Sequence, residues 1–291
     1  MNLCDPKTIR DVMTVFGLSF RHNLGQNFLT DPAIVERIAE SSVDGLLRPV
    51  TVLEIGAGFG ALTKELSAAA DEVVAVEIDK GLIPLLGYTL SGCSNVRLVC
   101  ADITKTDVGE LLGDAFGKGS VSVCANLPYY ITTPILLELL ESRLPFASVT
   151  LMIQSEVADR LCAAPGEPEY GSVTAYLNYF GTCERLFTVP PSKFIPAPKV
   201  ESTVVRIRLH KEPPVTPADE GCFFKVIRAA FGQRRKTLLN ALSAVFTDFD
   251  KSELKEILEE AEIDPGVRGE RLGITGFADV ADAIAARCKD Q

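Results

Sequence analysis

The 291-residue chain has only two histidines, His22 and His210, and no C-x-x-C pair among its eight cysteines, so no zinc-ligand spacing can be assembled from it. No metal is expected. It also lacks any apolar run near the ~18 residues of a bilayer span. Its opening stretch, MNLCDPKTIR, carries charges where a secretory signal needs an apolar segment. A protein that stays in the cytoplasm and off the membrane is expected. Repeats and low-complexity tracts are absent, and 47% hydrophobic with 23% charged residues is ordinary globular usage, which excludes disordered and fibrous classes. Nor is there an excess of positive charge: the net is -10, which taken alone argues against a polyanionic partner. That average hides an asymmetry. Residues 190–240 hold ten Lys and Arg against four acids, +6 net, so the remainder carries -16. Cys100 and Cys124 lie in apolar runs and are expected to be small buried side chains.

What is present is an alternation. The length suits one large domain and one smaller one. DPAIVERIAESS has Asp31 as a helix N-cap with Pro32 at the first helical position. TVLEIG then reads as a strand, ALTKELSAAA as a helix, and EVVAVEI as the next strand. KGLIPLLGYTL (helix), VRLVCAD (strand), VGELLGDAF (short helix), VSVCAN (strand), TPILLELLES (helix) and SVTLMIQS (strand) continue it. Near-continuous apolar strands alternating with helices imply an α/β, doubly wound parallel sheet covered on both faces. Beyond Ser155 the pattern loosens into helices around a Pro/Gly loop, and ESTVVRIRL returns as a further strand of the same sheet. HKEPPVTPADEG is a proline-rich boundary. After it, four helical periodicities follow in CFFKVIRAAF, KTLLNALSAVF, KSELKEILEEA and GFADVADAIAARC. The division predicted is 1–211 for the sheet domain and 212–291 for a helical one.

Chemistry concentrates at strand ends. EIGAGFG places Gly56, Gly58 and Gly60 where a strand hands over to a helix. The spacing is G-x-G-x-G and not the G-x-G-x-x-G that cradles a dinucleotide pyrophosphate. Glu77 ends the next strand, where an acid accepts hydrogen bonds from ribose hydroxyls. Asp102 ends the third, placed for an adenine amino group, and Asn126 ends the fourth. Four such signals in register point to the crevice where open α/β sheets bind ligands. Adenosine without pyrophosphate is the chemistry of S-adenosylmethionine. In NLPYYIT the Asn126 side-chain oxygen and the Leu127 carbonyl, presented by Pro128, are two acceptors for an exocyclic amine. Tyr129 offers the face on which its base stacks. Read without that context, the same stretch is an Asn-Pro turn with two packing tyrosines.

HNLGQNFLTD, EIGAGFGALT, VEID, ADI, NLPYYIT, PPSKFIPAPKVESTVVRI and FGQRRKTLLNAL occur here in the order that resembles the ribosomal RNA adenine dimethyltransferase family. The likeness runs from about His22 to about Ala283. Within the family it points to the branch that dimethylates two adjacent adenosines near the 3′ end of small-subunit (16S) rRNA. The resemblance implies a Rossmann-like class I S-adenosylmethionine-dependent methyltransferase sheet with a smaller all-α C-terminal domain that recognises RNA. It implies Asn27 and Leu29 over the methionine end of the cofactor, Gly56 beneath it, Glu77 on the ribose, Asp102 on the cofactor adenine, and Asn126 at both cofactor and target amine. Phe194, in SKFIPAP, becomes a second aromatic wall opposite Tyr129. Arg234, Arg235 and Lys236 become contacts to RNA phosphates, where residue type alone fits a solvated turn equally well. The expected partner is small-subunit rRNA in a pre-ribosomal particle, bound by a monomer. The chain departs from the pattern at Tyr130, where many relatives carry a smaller polar residue, and in its acidity. Two other readings stand beside this one: an enzyme methylating large-subunit RNA to confer antibiotic resistance, and an assembly factor that binds RNA without catalysis.

Overall fold

The computed structural model describes residues 1–19, 27–233 and 235–289. They divide into two compact units, Met1–Ala158 with Glu184–Leu209, and Asp159–Cys183 with His210–Gln291.

The first unit is built on a seven-stranded sheet. Its strands are β2 (Val50–Ile55), β3 (Glu72–Glu77), β4 (Val96–Cys100), β5 (Ser120–Asn126), β6 (Phe146–Gln154), β7 (Gly181–Val189) and β9 (Ser202–Leu209), in the order β4-β3-β2-β5-β6-β9-β7. Two short strands, β1 (Phe28–Leu29) and β8 (Phe194–Ile195), form a separate antiparallel ribbon. The five strands from β4 to β6 are parallel, and β9 runs antiparallel to β6. The sheet is therefore mixed, not wholly parallel as the alternation implies. After β6 the chain no longer returns through a single crossover helix to the same end of the sheet.

The central strands are apolar because both their faces are covered. Every residue of β2 is buried, as are five consecutive residues of β5. The helix Pro32–Val43 packs here through Val35, Ile38 and Ala39, and starts where the sequence places it, Asp31 accepting from the Ala33 amide at 3.1 Å. At the margin the rule changes. β4 is an edge strand with no buried residue, and Cys100 at its end is exposed, contrary to expectation, whereas Cys124 on central β5 is fully buried. β7, the other edge, mixes Thr182, Glu184 and Arg185 among its apolar residues and is not evident in the sequence.

The second unit is helical. Glu220–Gly232, Leu238–Ser243, Lys251–Glu260 and Ile274–Lys289 match the four periodicities. Asp219 caps the first, and a reciprocal Asp250–Glu253 capping box opens the third. The segment Asp159–Cys183, read from sequence as part of the sheet domain, clusters with these helices. The reason is packing: Tyr170, Ala175 and Tyr179 are buried in one core with Phe223, Leu238 and Phe277. The Tyr179 hydroxyl donates to Glu220 Oε1 at 2.5 Å, and that of Tyr170 to the Leu272 carbonyl at 3.1 Å. No described helix is long and apolar enough to cross a membrane.

Candidate active site

Strand order reverses beside β2, whose neighbours β3 and β5 leave toward opposite edges of the sheet. Such a switch opens a crevice at the carboxyl ends of the strands. A cavity of about 360 Å³ lies there, in the first unit.

Its floor is the glycine turn. Gly56, Gly58 and Gly60 have φ of +82°, +57° and +87°, a left-handed run that side chains resist. The turn is pinned to β3, with the Gly56 and Ala57 amides both donating to the Val76 carbonyl. It is also crowded from above. A Cβ on Gly56 would stand 3.1 Å from Leu127 Cδ2, and one on Gly58 3.1 Å from Phe28 Cε1.

Glu77 closes one side. Its Oε2 accepts from the Gly58 amide and its Oε1 from the Asp79 amide, both at 2.8 Å. Each oxygen keeps a second lone pair, so a neighbouring diol can still donate to it. Burial raises the Glu77 pKa above the usual carboxylate range, and the two amides counter part of that rise. Asp102 lies past the end of β4 and lines the same cavity. Its Oδ1 accepts from the Thr104 amide and hydroxyl at 3.1 and 2.7 Å, and Lys105 Nζ stands 3.4 Å from Oδ2. The Thr104 hydroxyl, first among these partners, lowers its pKa. Half of this carboxylate is thus engaged as the cap of a short helical turn.

Asn126 ends β5 and borders the cavity with Leu127, Pro128 and Tyr129. Tyr129 opens the helix Tyr129–Glu141, four residues earlier than TPILLELLES suggests, with Pro128 as its N-cap. The Tyr129 hydroxyl pairs with Ser202 Oγ at 2.7 Å, which ties the ring to β9. Tyr130, the residue departing from the family pattern, is 66% exposed and stands on the rim.

The β1–β8 ribbon supplies the remaining wall. Register sets Leu29 opposite Phe194, and both, with Asn27, line the cavity. A Lys193–Asp31 ion pair at 2.7 Å and a Thr30 amide bond to the Lys193 carbonyl hold the ribbon's end. Phe194 is 6% exposed, so the wall side chain is also a core side chain.

Every cofactor and base residue expected from the sequence therefore borders this single cavity. One further residue escapes sequence reasoning. Glu54 on β2 is 1% exposed and lines the cavity, and neither of its carboxyl oxygens has a hydrogen-bond partner among the described residues. Desolvation pushes its pKa up to about 8; the nearby Thr63 hydroxyl eases the rise although it falls short of a formed hydrogen bond, and the charge of Glu77 adds to it. The available signal is a carboxylate inside an apolar strand, TVLEIG. An orphaned buried acid needs an incoming partner or a proton.

The basic cluster belongs to the other unit. Arg234 lies outside the described residues. Arg235 and Lys236 are exposed and precede the helix Leu238–Ser243, whose cap is Thr237. Both precede its first turn, although the helical pattern KTLLNALSAVF begins at Lys236. Among the described residues no group of three His, Cys, Asp or Glu side chains is placed to hold a metal ion.

Residues 17–279 match the profile of the ribosomal RNA adenine dimethylase family. Ribosomal RNA small subunit methyltransferase A of Bacillus mycoides (strain KBAB4) is 44% identical over 286 residues, 97% of each chain, and the protein of that name from Bacillus cereus (strain B4264) is equally similar. Among solved structures, a dimethyladenosine transferase from Plasmodium falciparum superposes with a TM-score of 0.73 at 26% identity, covering 87% of this chain and 95% of that one. The 23S rRNA methyltransferase ErmE shares the fold, with a TM-score of 0.68 at 24% identity over 89% of this chain and 99% of its own.

Proposed function

The chain belongs to the ribosomal RNA adenine dimethylase family, and from that premise we propose that it methylates N6 of two adjacent adenosines near the 3′ end of small-subunit rRNA. The methyl donor is S-adenosylmethionine, and the substrate is the rRNA of a pre-ribosomal particle. The sheet domain carries the chemistry, and residues from 212 on help to grip RNA.

The observation that carries this reading is the convergence of the glycine turn, Glu77, Asp102 and the Asn126–Tyr129 turn on one cavity. The residues present fit the cofactor. Gly56 and Gly58 line the cavity in left-handed backbone, where an added Cβ would press Leu127 and Phe28, two other lining side chains, out of place. Glu77, held by two amides, has acceptor capacity for a ribose diol. Glu54 is an unpartnered carboxyl suited to the positive amino-acid end. When bound, S-adenosylmethionine supplies an electrophilic methyl on a sulfonium.

The chain's own residues do the rest. Tyr129 and Phe194 stack an unstacked adenine, as enzymes acting on bases require. The Asn126 side-chain oxygen and the Leu127 carbonyl accept the two N–H bonds of its amine. Holding those protons would favour pyramidal nitrogen, whose lone pair is then withdrawn from the ring and available to an electrophile. Methylation would make the remaining N–H acidic, and its proton would pass to solvent, so no strong general base is needed. After one transfer a single N–H remains, and either acceptor can hold it for the second.

The test is incorporation. Labelled S-adenosylmethionine offered with small subunits lacking the modification, and in parallel with large-subunit RNA, should yield labelled dimethyladenosine in the small-subunit RNA, and Asn126→Ala should lower kcat at least about 100-fold. Label appearing only in large-subunit RNA would select the resistance-type enzyme, and RNA binding with no transfer the assembly factor. Full activity in Asn126→Ala would remove the account of amine activation.

A further inference from the structure

Outside the cavity, the second unit contains a close pair of sulfurs. Cys162 follows the helix Ser155–Leu161, and Cys183 is the third residue of β7. Their Sγ atoms are 3.1 Å apart, one thiol donating to the other, and both side chains are partly exposed. A disulfide needs the sulfurs at about 2.05 Å, roughly one ångström closer. The thiolate is the reactive form of a cysteine, and a second sulfur already in contact is placed to resolve an oxidised one.

The position in the chain gives the pair a consequence. Cys162 and Cys183 stand near the two ends of Asp159–Cys183, the excursion that belongs to the helical unit. Between them lie Tyr170 and the helix Ser172–Phe180, which contribute Tyr170, Ala175 and Tyr179 to the helical core. The excursion is therefore held in place by side-chain packing, with no covalent tie between its ends.

We propose that Cys162 and Cys183 are a site of reversible oxidation by peroxides, closing an intrachain disulfide that staples this excursion. One thiolate attacks a peroxide oxygen, the O–O bond breaks, and a sulfenic acid forms while the other oxygen leaves as water or alcohol. The neighbouring sulfur then attacks the sulfenic sulfur; the S–S bond forms, and the S–O bond breaks to release hydroxide, which takes up the remaining thiol proton. In sum, two thiols and one hydrogen peroxide give one disulfide and two waters. The sulfurs are oxidised, the peroxide oxygens reduced, and a dithiol reductant reverses the change.

Three of the other six cysteines provide the contrast, while Cys100 and Cys288 are exposed and serve as internal controls for unpaired thiols. Cys4 and Cys124 are buried, and burial pushes their thiols up to about 11 and about 12, away from reactivity. Cys222 is likewise pushed up to about 11, with its thiol directed at the Ala281 carbonyl at 3.6 Å.

The full-length protein, treated with stoichiometric hydrogen peroxide, should lose two of its eight titratable thiols and two mass units. Proteolysis under non-reducing conditions should then give one linked peptide pair containing residues 162 and 183. The oxidised form should melt at a higher temperature, because a covalent tie across 162–183 restricts the unfolded chain, and dithiothreitol should return both readings. Cys162→Ser and Cys183→Ser should each abolish the linked pair. Retention of all eight thiols, a link mapped elsewhere such as 222 to 288, a covalent dimer, or overoxidation of either sulfur without a link would each overturn the proposal. Because no RNA or cofactor enters the assay, its result is independent of the methyltransferase reading.

Discussion

Tyr129 has two separable parts, a ring on the cavity and a hydroxyl bonded to Ser202 at 2.7 Å. Tyr129→Phe keeps the face and loses the tie, which should cost about 0.5–1.5 kcal/mol of stability and leave kcat near that of the parent. Tyr129→Ala removes the face. A base stack is worth about 1–3 kcal/mol, so without it KM for RNA should rise roughly five- to 150-fold while cofactor affinity holds. Equal kinetic losses in both variants would return the ring to a packing role. Glu54 makes a separate prediction on the cofactor side. Its carboxyl, raised to about 8, is protonated in the empty site at pH 6.5. A cation brought against it lowers that pKa, so binding must release a proton, and affinity must rise with pH up to about 8. The groups facing it, Glu77 on β3 and Cys124 on β5, do not supply a compensating positive charge. Calorimetry at pH 6.5 in buffers of different ionisation enthalpy should therefore report about one proton released per S-adenosylhomocysteine, whose α-ammonium is still charged there. Methylthioadenosine, which lacks the amino-acid end, should release none, and neither should Glu54→Gln with S-adenosylhomocysteine. Release persisting in Glu54→Gln would assign the proton to Glu77.

Two glycines in neighbouring elements should respond oppositely to the same change. Gly58 sits at φ +57° in the turn after β2, and its added Cβ would press on Phe28 at 3.1 Å. Gly58→Ala should cost about 1–2 kcal/mol for the left-handed backbone alone, and its displaced amide would leave Glu77 Oε2. A lower Tm and cofactor affinity reduced at least tenfold are expected. Gly87 lies inside the helix Leu82–Thr89 with nothing within 4 Å of an added Cβ. Gly87→Ala should add about 0.5–1 kcal/mol with cofactor affinity unchanged, so loss of stability there would mean that this face of the helix is not open to solvent. The same contrast explains what the sequence discloses. Strands β2, β3, β5 and β6 are legible because both faces are buried, which writes an apolar run, and their polar ends Glu77 and Asn126 stand out against it. Strand β7 is illegible because an edge strand needs no such run. The ribbon of β1 and β8 is two residues long on each side, too short to impose any period, so Phe194 is assignable to the cavity only through a resemblance. The helix Pro6–Val15 carries the same Asp–Pro start as Asp31–Pro32, and Asp5 caps it, but it offers only three buried positions, Ile9, Val12 and Met13, to set a period. Glu54 is hidden because periodicity sorts faces, and a strand buried on both faces has none to spare for a polar residue.

The chain as a whole is acidic, yet the substrate proposed for it is a polyanion. The resolution lies in range. At about 0.1 M salt, charges beyond roughly 10 Å are screened, so the net of -10 matters less to a docked RNA than the sign of the nearest side chains. Residues 190–240 carry the local surplus, but much of it is already engaged. Arg206 and Arg208 are shared between Asp44 and Glu184, and Lys193 is paired with Asp31. Arg235 and Lys236 are exposed and lie in the helical unit, whereas the cavity residues lie in the sheet unit. Replacing both by Ala should therefore leave S-adenosylhomocysteine affinity unchanged and weaken rRNA binding across sequences. Removing one phosphate-binding side chain lowers the slope of log K against log[salt] by about 0.7–0.9, so the double variant should flatten that slope by roughly one to two. An unchanged slope would make these two side chains a solvated turn, and would move the search for the phosphate-binding groups to Lys225 and Arg228 on the helix Glu220–Gly232. Of that pair Lys225 already lies over the Phe246 ring at 4.4 Å. Arg228→Ala would then be the variant expected to flatten the slope.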